Sequence, residues 1–142
     1  MDELLSADET RIWHAWKTAT ESVRAYVAEQ LDTATGLSDP DFGILTRLED
    51  LGDGQLRQNE LASSMNWHRS RLSHQLTRME QRGLVLRSEV AGGVLVSITI
   101  LGSERVAAAR PVHADAVRAS LLSKVPERGA GAFLSILEAL EG

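Results

Sequence analysis

Apolar residues recur at every third or fourth position along most of the chain, and this spacing predicts a mainly helical fold. The first stripe indicates a long helix from about Ala7 to Leu31, with the apolar residues Ile12, Trp16, Ala19, Val23, Val27 and Leu31. Gly36 follows and is expected to end the helix, because glycine is common just beyond a helix C-terminus.

A second helix is predicted to begin at Asp39, which can cap it, and Pro40, whose fixed φ suits a first helical turn. Its buried stripe should consist of Phe42, Leu45, Leu48 and Leu51. Gly52 and Gly54 come directly afterwards and should end this helix.

The segment from Leu56 to Arg87 predicts a short helix, a tight turn, a longer helix and a strand. The short helix should run from Asn59 to Met65 and bury Leu61 and Ala62. The turn falls at Asn66-Trp67, because asparagine tolerates left-handed backbone.

The longer helix is predicted over Arg69 to Arg82, with Leu72, Leu76 and Met79 inward and Gly83 closing it. This order of elements is that of a winged helix-turn-helix, whose second helix lies in the major groove of DNA.

The rest of the chain predicts a β-hairpin and further helices. Leu84 to Val90 and Val94 to Ile98 are β-rich runs around a glycine pair. Thr99 should cap the next helix, which Pro111 should kink rather than end. A last helix should start at Pro126, with the apolar residues Phe133, Leu134, Ile136, Leu137 and Leu140.

Composition indicates one ordinary globular domain, with 142 residues, 43% apolar and 25% charged. The absence of cysteine excludes disulfides, thiolate nucleophiles and cysteine zinc sites. The N-terminus MDELLSADET is acidic and lacks the apolar core of a secretory signal, and no apolar run approaches the ~20 residues of a membrane helix. We therefore expect a cytoplasmic protein without a membrane partner.

Positive charge is concentrated in the helix-turn-helix segment. Residues 57–87 carry six arginines and two glutamates, a net charge of +4, whereas the whole chain carries −5 and the remainder therefore −9. A basic segment in an acidic protein is typical of one face that meets phosphate.

The candidate DNA-binding residues lie mainly on the helix over 69–82. Arg71 is the first candidate for reading a base, because a guanidinium can donate two parallel bonds to guanine. Other side chains expected to face outward can contact bases or phosphate, and some are better placed to set register on the backbone. The full set is Arg69, Ser70, Arg71, Ser73, His74, Gln75, Arg78 and Arg87. Trp67 either packs the turn or stacks on nucleic acid, and packing is the more common role.

The stretch NELASSMNWHRSRLSHQLTRMEQRGLVLR resembles the DNA-binding core of the multiple-antibiotic-resistance-regulator (MarR) family. SITILGSERV is similar to that family's strand-to-helix junction, where Ile98, Thr99 and Gly102 match a Leu-Thr-x-x-Gly pattern. The resemblance implies a homodimer of winged helix-turn-helix subunits on a palindromic operator. Such proteins are usually repressors released by a small molecule.

The hairpin departs from the family pattern. The family usually has an Asp-x-Arg pair before the second strand, where this chain has Val90 and Gly92, and no arginine lies between Arg87 and Thr99. This departure motivates a competing interpretation, a winged-helix protein-interaction module with weakened or lost DNA binding.

The resemblance also implies an effector pocket. Its candidate lining residues, for a small anionic aromatic ligand, are Trp13, His14, Trp16, Arg110 and His113. Tryptophans at helical spacing are more often core residues, and the arginine can be a solvated charge.

Neither a metal site nor an enzyme is predicted. The four histidines lack the spacing of a metal-binding pair, and no cofactor is implied. Nucleophile-elbow, phosphate-loop and dinucleotide-binding motifs are absent.

The predicted fold class is therefore mainly α with a small β-hairpin wing. A winged helix-turn-helix lobe at about 38–100 is flanked by helical dimerisation segments at about 7–35 and 100–141. We expect a sequence-specific transcriptional regulator, a repressor modulated by a small molecule.

Overall fold

A computed structural model of the protein describes residues 4–142; the first three residues of the acidic N-terminus lie outside the described residues. Its elements alternate helices with a small antiparallel sheet. In chain order they are α1 (Ala7–Thr35), α2 (Asp39–Gly52), β1 (Gln55–Arg57), α3 (Gln58–Met65), α4 (Arg69–Gln81), β2 (Val85–Val90), β3 (Gly93–Ile98), α5 (Ile100–Ser120) and α6 (Ala130–Leu140), with short 3₁₀ turns at Leu122–Lys124 and Glu127–Gly129.

The chain divides into two compact units. Unit 1 is Met1–Gln30 with His113–Gly142, and unit 2 is Leu31–Val112. Unit 2 contains most of the buried side chains of the described residues, whereas in unit 1 the buried apolar residues are Val27 and Ala116. The division into DNA-binding and dimerisation segments stays a prediction.

Helix α2 begins with a reciprocal cap that corrects one expectation. Ser38, rather than Asp39, is the N-cap: its hydroxyl accepts from the Asp41 N–H at 3.1 Å, and Asp41 accepts from the Ser38 N–H at 2.9 Å. Phe42, Leu45 and Leu48 are buried as predicted. The prediction for Leu51 was wrong, because its position in the last turn leaves it 63% exposed.

The helix-turn-helix was predicted closely. Helix α3 buries Leu61 and Ala62, and Asn66 adopts the left-handed conformation at φ 53°. Helix α4 has Leu72, Leu76 and Met79 fully buried in the core of unit 2, as its apolar periodicity predicts. Gly83 follows with φ 76°, a left-handed backbone conformation that residues with a side chain rarely adopt.

The sheet has the order β1-β3-β2, and all of its pairings are antiparallel. Strand β1 was missed by the sequence analysis, because three residues are too few to show a two-residue period. Strands β2 and β3 form the predicted hairpin, with Val90 opposite Gly93 and Ala91-Gly92 as a two-residue loop.

Helix α5 begins at the predicted cap. The Thr99 hydroxyl accepts from the Gly102 N–H at 3.0 Å and donates to the Gly83 carbonyl at 2.6 Å. The helix continues through Pro111 to Ser120, which confirms that proline does not end it. Helix α6 is preceded by the 3₁₀ turn that follows Pro126.

Within residues 4–142, no helix is both long enough and apolar enough to cross a lipid bilayer.

Candidate nucleic-acid interface

The outward face of α4 is polar and basic. Because the apolar stripe of α4 is buried, Ser70, Arg71, His74 and Arg78 are exposed on other sides of the helix. This confirms that these four side chains face outward. The helix N-terminal half carries three of them, and that half is the part that reaches base edges in helix-turn-helix complexes.

Arg71 rests on the tryptophan of the turn. Its guanidinium carbon lies 3.8 Å from the centroid of the Trp67 ring, a cation–π contact. Trp67 is half-buried, which favours a packing role within the turn. The stacked ring restricts the rotamers of Arg71. Because the ring covers the face of the guanidinium, the N–H groups, which lie in the guanidinium plane, can still donate hydrogen bonds.

Gln75 was expected to face outward, and this expectation is wrong. The side chain is 7% exposed, and its amide donates to Asp41 Oδ1 at 2.7 Å. Its carbonyl oxygen accepts from Arg78 Nη2 at 2.6 Å. Helical period places position 75 next to the buried Leu76. The carboxylate that binds the Gln75 amide is that of Asp41, which lies on a different helix, α2.

Asp41 is a buried anchor that the sequence analysis did not identify. It is 1% exposed, and besides Gln75 it accepts from Arg82 Nη1 at 2.6 Å. Arg82 also donates to the Gly36 carbonyl at 2.9 Å. A buried carboxylate needs such partners, so α2 and α4 are joined by a polar link within unit 2.

Arg87, a predicted phosphate contact, is held by side chains of α4. Its guanidinium lies 3.1 Å from Glu80 Oε1 and 2.9 Å from the Thr77 hydroxyl. The Arg87 backbone N–H donates to Glu80 Oε2 at 3.0 Å, and this bond, followed by the side-chain bonds from Arg87, lowers the pKa of Glu80 below its ordinary value. Arg87 therefore contributes to joining β2 to α4.

The remaining predicted DNA contacts lie near the start of α4. Arg69 is its first residue and is exposed. Ser73 is half-buried, and its carbonyl accepts from Thr77 Oγ1 at 2.9 Å. A cleft lined by Gln58, Ser73, Arg87, Ser88, Glu89 and Val94 separates this part of α4 from the hairpin.

A basic residue that the sequence analysis did not select lies at the hairpin loop. Arg57 ends β1 and is exposed, and its Nη1 donates to the Ala91 carbonyl at 2.7 Å. The sequence separation of 34 residues hides this contact, and strand β1, which brings it about, was itself not predicted. In the sequence, the one indication of a DNA-binding role for Arg57 is its positive charge next to the helix-turn-helix.

The candidate effector residues have different surroundings. In unit 1, Trp13 and Trp16 are 51% and 41% exposed, and Lys17 Nζ lies 5.6 Å from the Trp13 ring centroid. His14 is exposed, and His113 is half-buried.

Arg110, the fifth candidate effector residue, belongs to unit 2. Its Nη2 lies 3.1 Å from Glu49 and 2.8 Å from Asp50. The bond to Glu49, followed by the bond to Asp50, raises the pKa of Arg110 above its ordinary value. The Arg110 guanidinium is already paired with these two carboxylates, so an anionic ligand would have to compete with them for its N–H groups.

The acidic and histidine side chains of residues 4–142 form no group of three or more that could hold a metal ion. The exposed side chains of α4, together with Arg57 beside the hairpin loop, offer hydrogen-bond donors and positive charge.

Comparison with known proteins gives consistent results. Residues 37–90 match the family model described as MarR family. The structure is similar to that of AbsC, a MarR family transcriptional regulator from Streptomyces coelicolor, with a TM-score of 0.91 and 25% identity over 99% of this chain and 96% of AbsC. No curated protein matches the chain by sequence.

Two further solved structures extend the comparison. Sco3205, a MarR family transcriptional regulator from Streptomyces coelicolor in complex with DNA, has a TM-score of 0.91 and 26% identity over 99% of this chain and 90% of Sco3205. A MarR family regulator from Rhodococcus sp. RHA1 shares the fold at a TM-score of 0.75 and 20% identity, over 98% of this chain and 96% of that one.

Proposed function

We propose that this chain, whose residues 37–90 match the MarR family model and whose structure is similar to those of MarR family regulators, is a transcriptional regulator that binds a specific double-stranded DNA site with α4 in the major groove. The observation that carries this proposal is the unequal environment of the arginines. Arg82 and Arg87 are paired with Asp41 and Glu80. By contrast, within residues 4–142 no carboxylate lies at ion-pair distance from Arg69, Arg71 or Arg78.

This division assigns a role to each group of arginines. Positive charges without a carboxylate partner on the exposed surface of α4 attract the phosphate backbone. Arg71, held on Trp67, reads a base, and Arg69 and Arg78 contact phosphate. Ser70 and His74 donate to bases or phosphate from the same face. Similarity to Sco3205, whose structure contains DNA, supports this assignment.

We further propose that the protein acts as a homodimer on an inverted repeat. Unit 1 exposes large apolar side chains on α1 and α6, including Ile12, Trp13, Leu134, Ile136 and Leu140. Such a surface favours association with a second copy, and twofold symmetry is the commonest arrangement. A symmetric dimer matches half-sites about 34–36 Å apart on one side of the duplex.

The output proposed is repression by occlusion of a promoter, with release by a small anionic aromatic effector. The half-exposed indoles of Trp13 and Trp16, with Lys17 beside Trp13, support an aromatic ligand. Intrinsic tryptophan fluorescence, titrated with salicylate-type compounds, tests this part of the proposal. A compound that quenches fluorescence and releases bound DNA supports it, and quenching without release would argue against a regulatory role.

The central experiment is selection of genomic fragments from the source organism by the purified protein at moderate salt, followed by sequencing. Enrichment of an inverted repeat is the expected result. Affinity for this repeat should fall steeply as salt rises, since each phosphate contact releases counterions. A folded protein that enriches no sequence would contradict specific DNA binding and favour the protein-interaction module instead.

A further inference from the structure

Arg57 occupies a position that would ordinarily be filled by a capping residue. It is the N-cap of α3, with extended backbone, yet its side chain makes no cap hydrogen bond. Serine, threonine, aspartate or asparagine at an N-cap stabilises a helix relative to a residue that does not cap. The long side chain instead reaches away from α3 to the hairpin.

The hairpin loop is shaped to receive this guanidinium. Arg57 pairs with Leu95 in the sheet, and its Nη1 donates to the Ala91 carbonyl at 2.7 Å. The adjoining Gly92 has φ 85°, and a Cβ at that position would lie 3.3 Å from Arg57 Nη1. The absence of a side chain at position 92 therefore lets the guanidinium lie directly against the loop.

The hairpin has no positive charge of its own beyond its first strand. Between Ser88 and Ile98 the single charged residue is Glu89, so this segment alone would be repelled by phosphate. Arg57 offsets that charge. Within the described part of the chain it has no carboxylate at ion-pair distance.

Arg57 also lies near the surface already assigned to DNA. Its neighbour Gln58 lines the same cleft as Ser73 of α4 and Ser88 and Glu89 of the hairpin. A duplex that approaches α4 therefore approaches the cleft and the hairpin that flanks it.

We propose that Arg57 is a phosphate-binding residue at the hairpin loop and supplies, from β1, the positive charge that the segment from Ser88 to Ile98 lacks. This inference rests on the proposed DNA binding. A guanidinium carries five N–H donors, and the bond to Ala91 employs one nitrogen. The N–H groups on Nη2 and Nε are oriented for two parallel bonds to phosphate oxygens.

The test compares Arg57→Gln with the wild type on the selected inverted repeat and on a scrambled duplex, by fluorescence anisotropy over a range of salt concentrations. Arg57→Gln should weaken binding to both duplexes about tenfold, since a phosphate contact acts on every sequence. The slope of log affinity against log salt should become shallower by about 0.9 per bound subunit.

Arg105→Gln is the matched control. Arg105 is likewise exposed and donates one bond to a backbone carbonyl of another element, Thr35, at 3.4 Å. Its replacement removes the same charge and should leave affinity and salt slope at the wild-type values. Circular dichroism and thermal unfolding establish that each variant is folded.

Arg57→Lys separates charge from hairpin support. Lysine keeps the charge and loses the planar fork, so it should retain the wild-type salt slope and lose less affinity than Arg57→Gln. Wild-type affinity and slope in Arg57→Gln would overturn the inference while leaving DNA binding intact. An equal loss in Arg57→Lys and Arg57→Gln would overturn it too, and a wild type that binds neither duplex would overturn both proposals.

Discussion

The arginines between positions 57 and 87 differ in what their guanidinium groups already contact. Helical period sufficed to predict that Arg71 and Arg78 face outward, because the apolar stripe of α4 fixes the opposite face. It did not predict the partners of Arg82 or Arg57, since those lie on α2 and in the hairpin loop. Pairings between distant segments depend on tertiary contacts that local periodicity does not contain.

Arg71→Ala should weaken binding to the selected repeat by ~1–3 kcal/mol and relax the preference at one base position. The reason is loss of a bidentate contact from a side chain positioned by Trp67. Competition with repeats mutated at each position measures the change in preference. Arg71→Lys, which keeps the charge, should show the same relaxed preference with a wild-type salt slope. Unchanged specific binding in Arg71→Ala would refute the base-reading role.

Glu80→Gln should lower the free energy of unfolding at pH 7, because the bonds from Arg87 stabilise the ionised carboxylate. The folded pKa of Glu80 lies below the unfolded one. The ionised form therefore contributes stability above the unfolded value, about 4.3, and that contribution disappears as pH falls through the folded pKa. Urea unfolding of wild type and variant should give curves that converge in acid.

The control for Glu80→Gln is Glu29→Gln, which removes an exposed carboxylate from α1. It reports the effect of net charge alone. A constant difference between Glu80→Gln and the wild type down to acidic pH would show that the effect does not come from ionisation of Glu80.

At the scale of elements, the strong signals were the long apolar stripes and the residues that begin or end helices. They predicted α3, α4, the hairpin and the cap of α5 closely. Strand β1 is too short for periodicity to reveal, and its identity as a strand depends on pairing with β3, 40 residues away at Leu56 and Val96. The burial of Gln75 depends in the same way on Asp41 from another helix.

Gly102→Ala should reduce the free energy of unfolding by ~1–3 kcal/mol, as overpacking does in a closed core. A Cβ at this position would lie 2.3 Å from the Leu84 carbonyl oxygen, so α5 and the β2 region must separate. Chemical denaturation measures the loss.

Gly131→Ala is the matched control for Gly102→Ala. Position 131 lies in α6 with no atom within 4 Å of an added Cβ, and alanine there should stabilise the helix by up to ~1 kcal/mol. Equal stability of the wild type and Gly102→Ala would show that the contact between α5 and Leu84 is readily relaxed.

At the scale of the molecule, the two units differ in how well they bury their apolar residues. Unit 2 encloses a core that includes Leu31, Leu45, Leu61, Leu76 and Val96. Unit 1 leaves apolar side chains of α1 and α6 exposed to solvent, which a monomer of this size would rarely do. Self-association is the arrangement that this difference favours.

Replacement of both Ile136 and Leu140 by glutamate should shift the protein from dimer to monomer. These residues lie one helical turn apart on α6 and are 59% and 61% exposed, so charge there is tolerated by the fold and opposed by an apolar interface. Sedimentation velocity over a range of concentrations measures the change.

Leu51→Glu serves as the control for the α6 variant, since Leu51 is 63% exposed on a helix of unit 2. It should sediment as the wild type does. If the wild type is monomeric at all concentrations, or if the α6 double variant remains dimeric, the apolar surface of α6 is not the dimer interface.

The bond between Arg57 and the Ala91 carbonyl has a consequence for how hairpins of this kind evolve and can be exchanged. The loop and the cation beside it are encoded 34 residues apart, so each can mutate without altering the other. A chimaera that receives only residues 85–98 of this chain would acquire a hairpin with an uncharged loop, whose charged residues, Arg87 and Glu89, both lie in the first strand. A transplant of the hairpin together with residues 55–57 would also carry Arg57, the positive charge beside the loop. We therefore expect the three-stranded sheet, rather than the hairpin, to be exchanged as one unit.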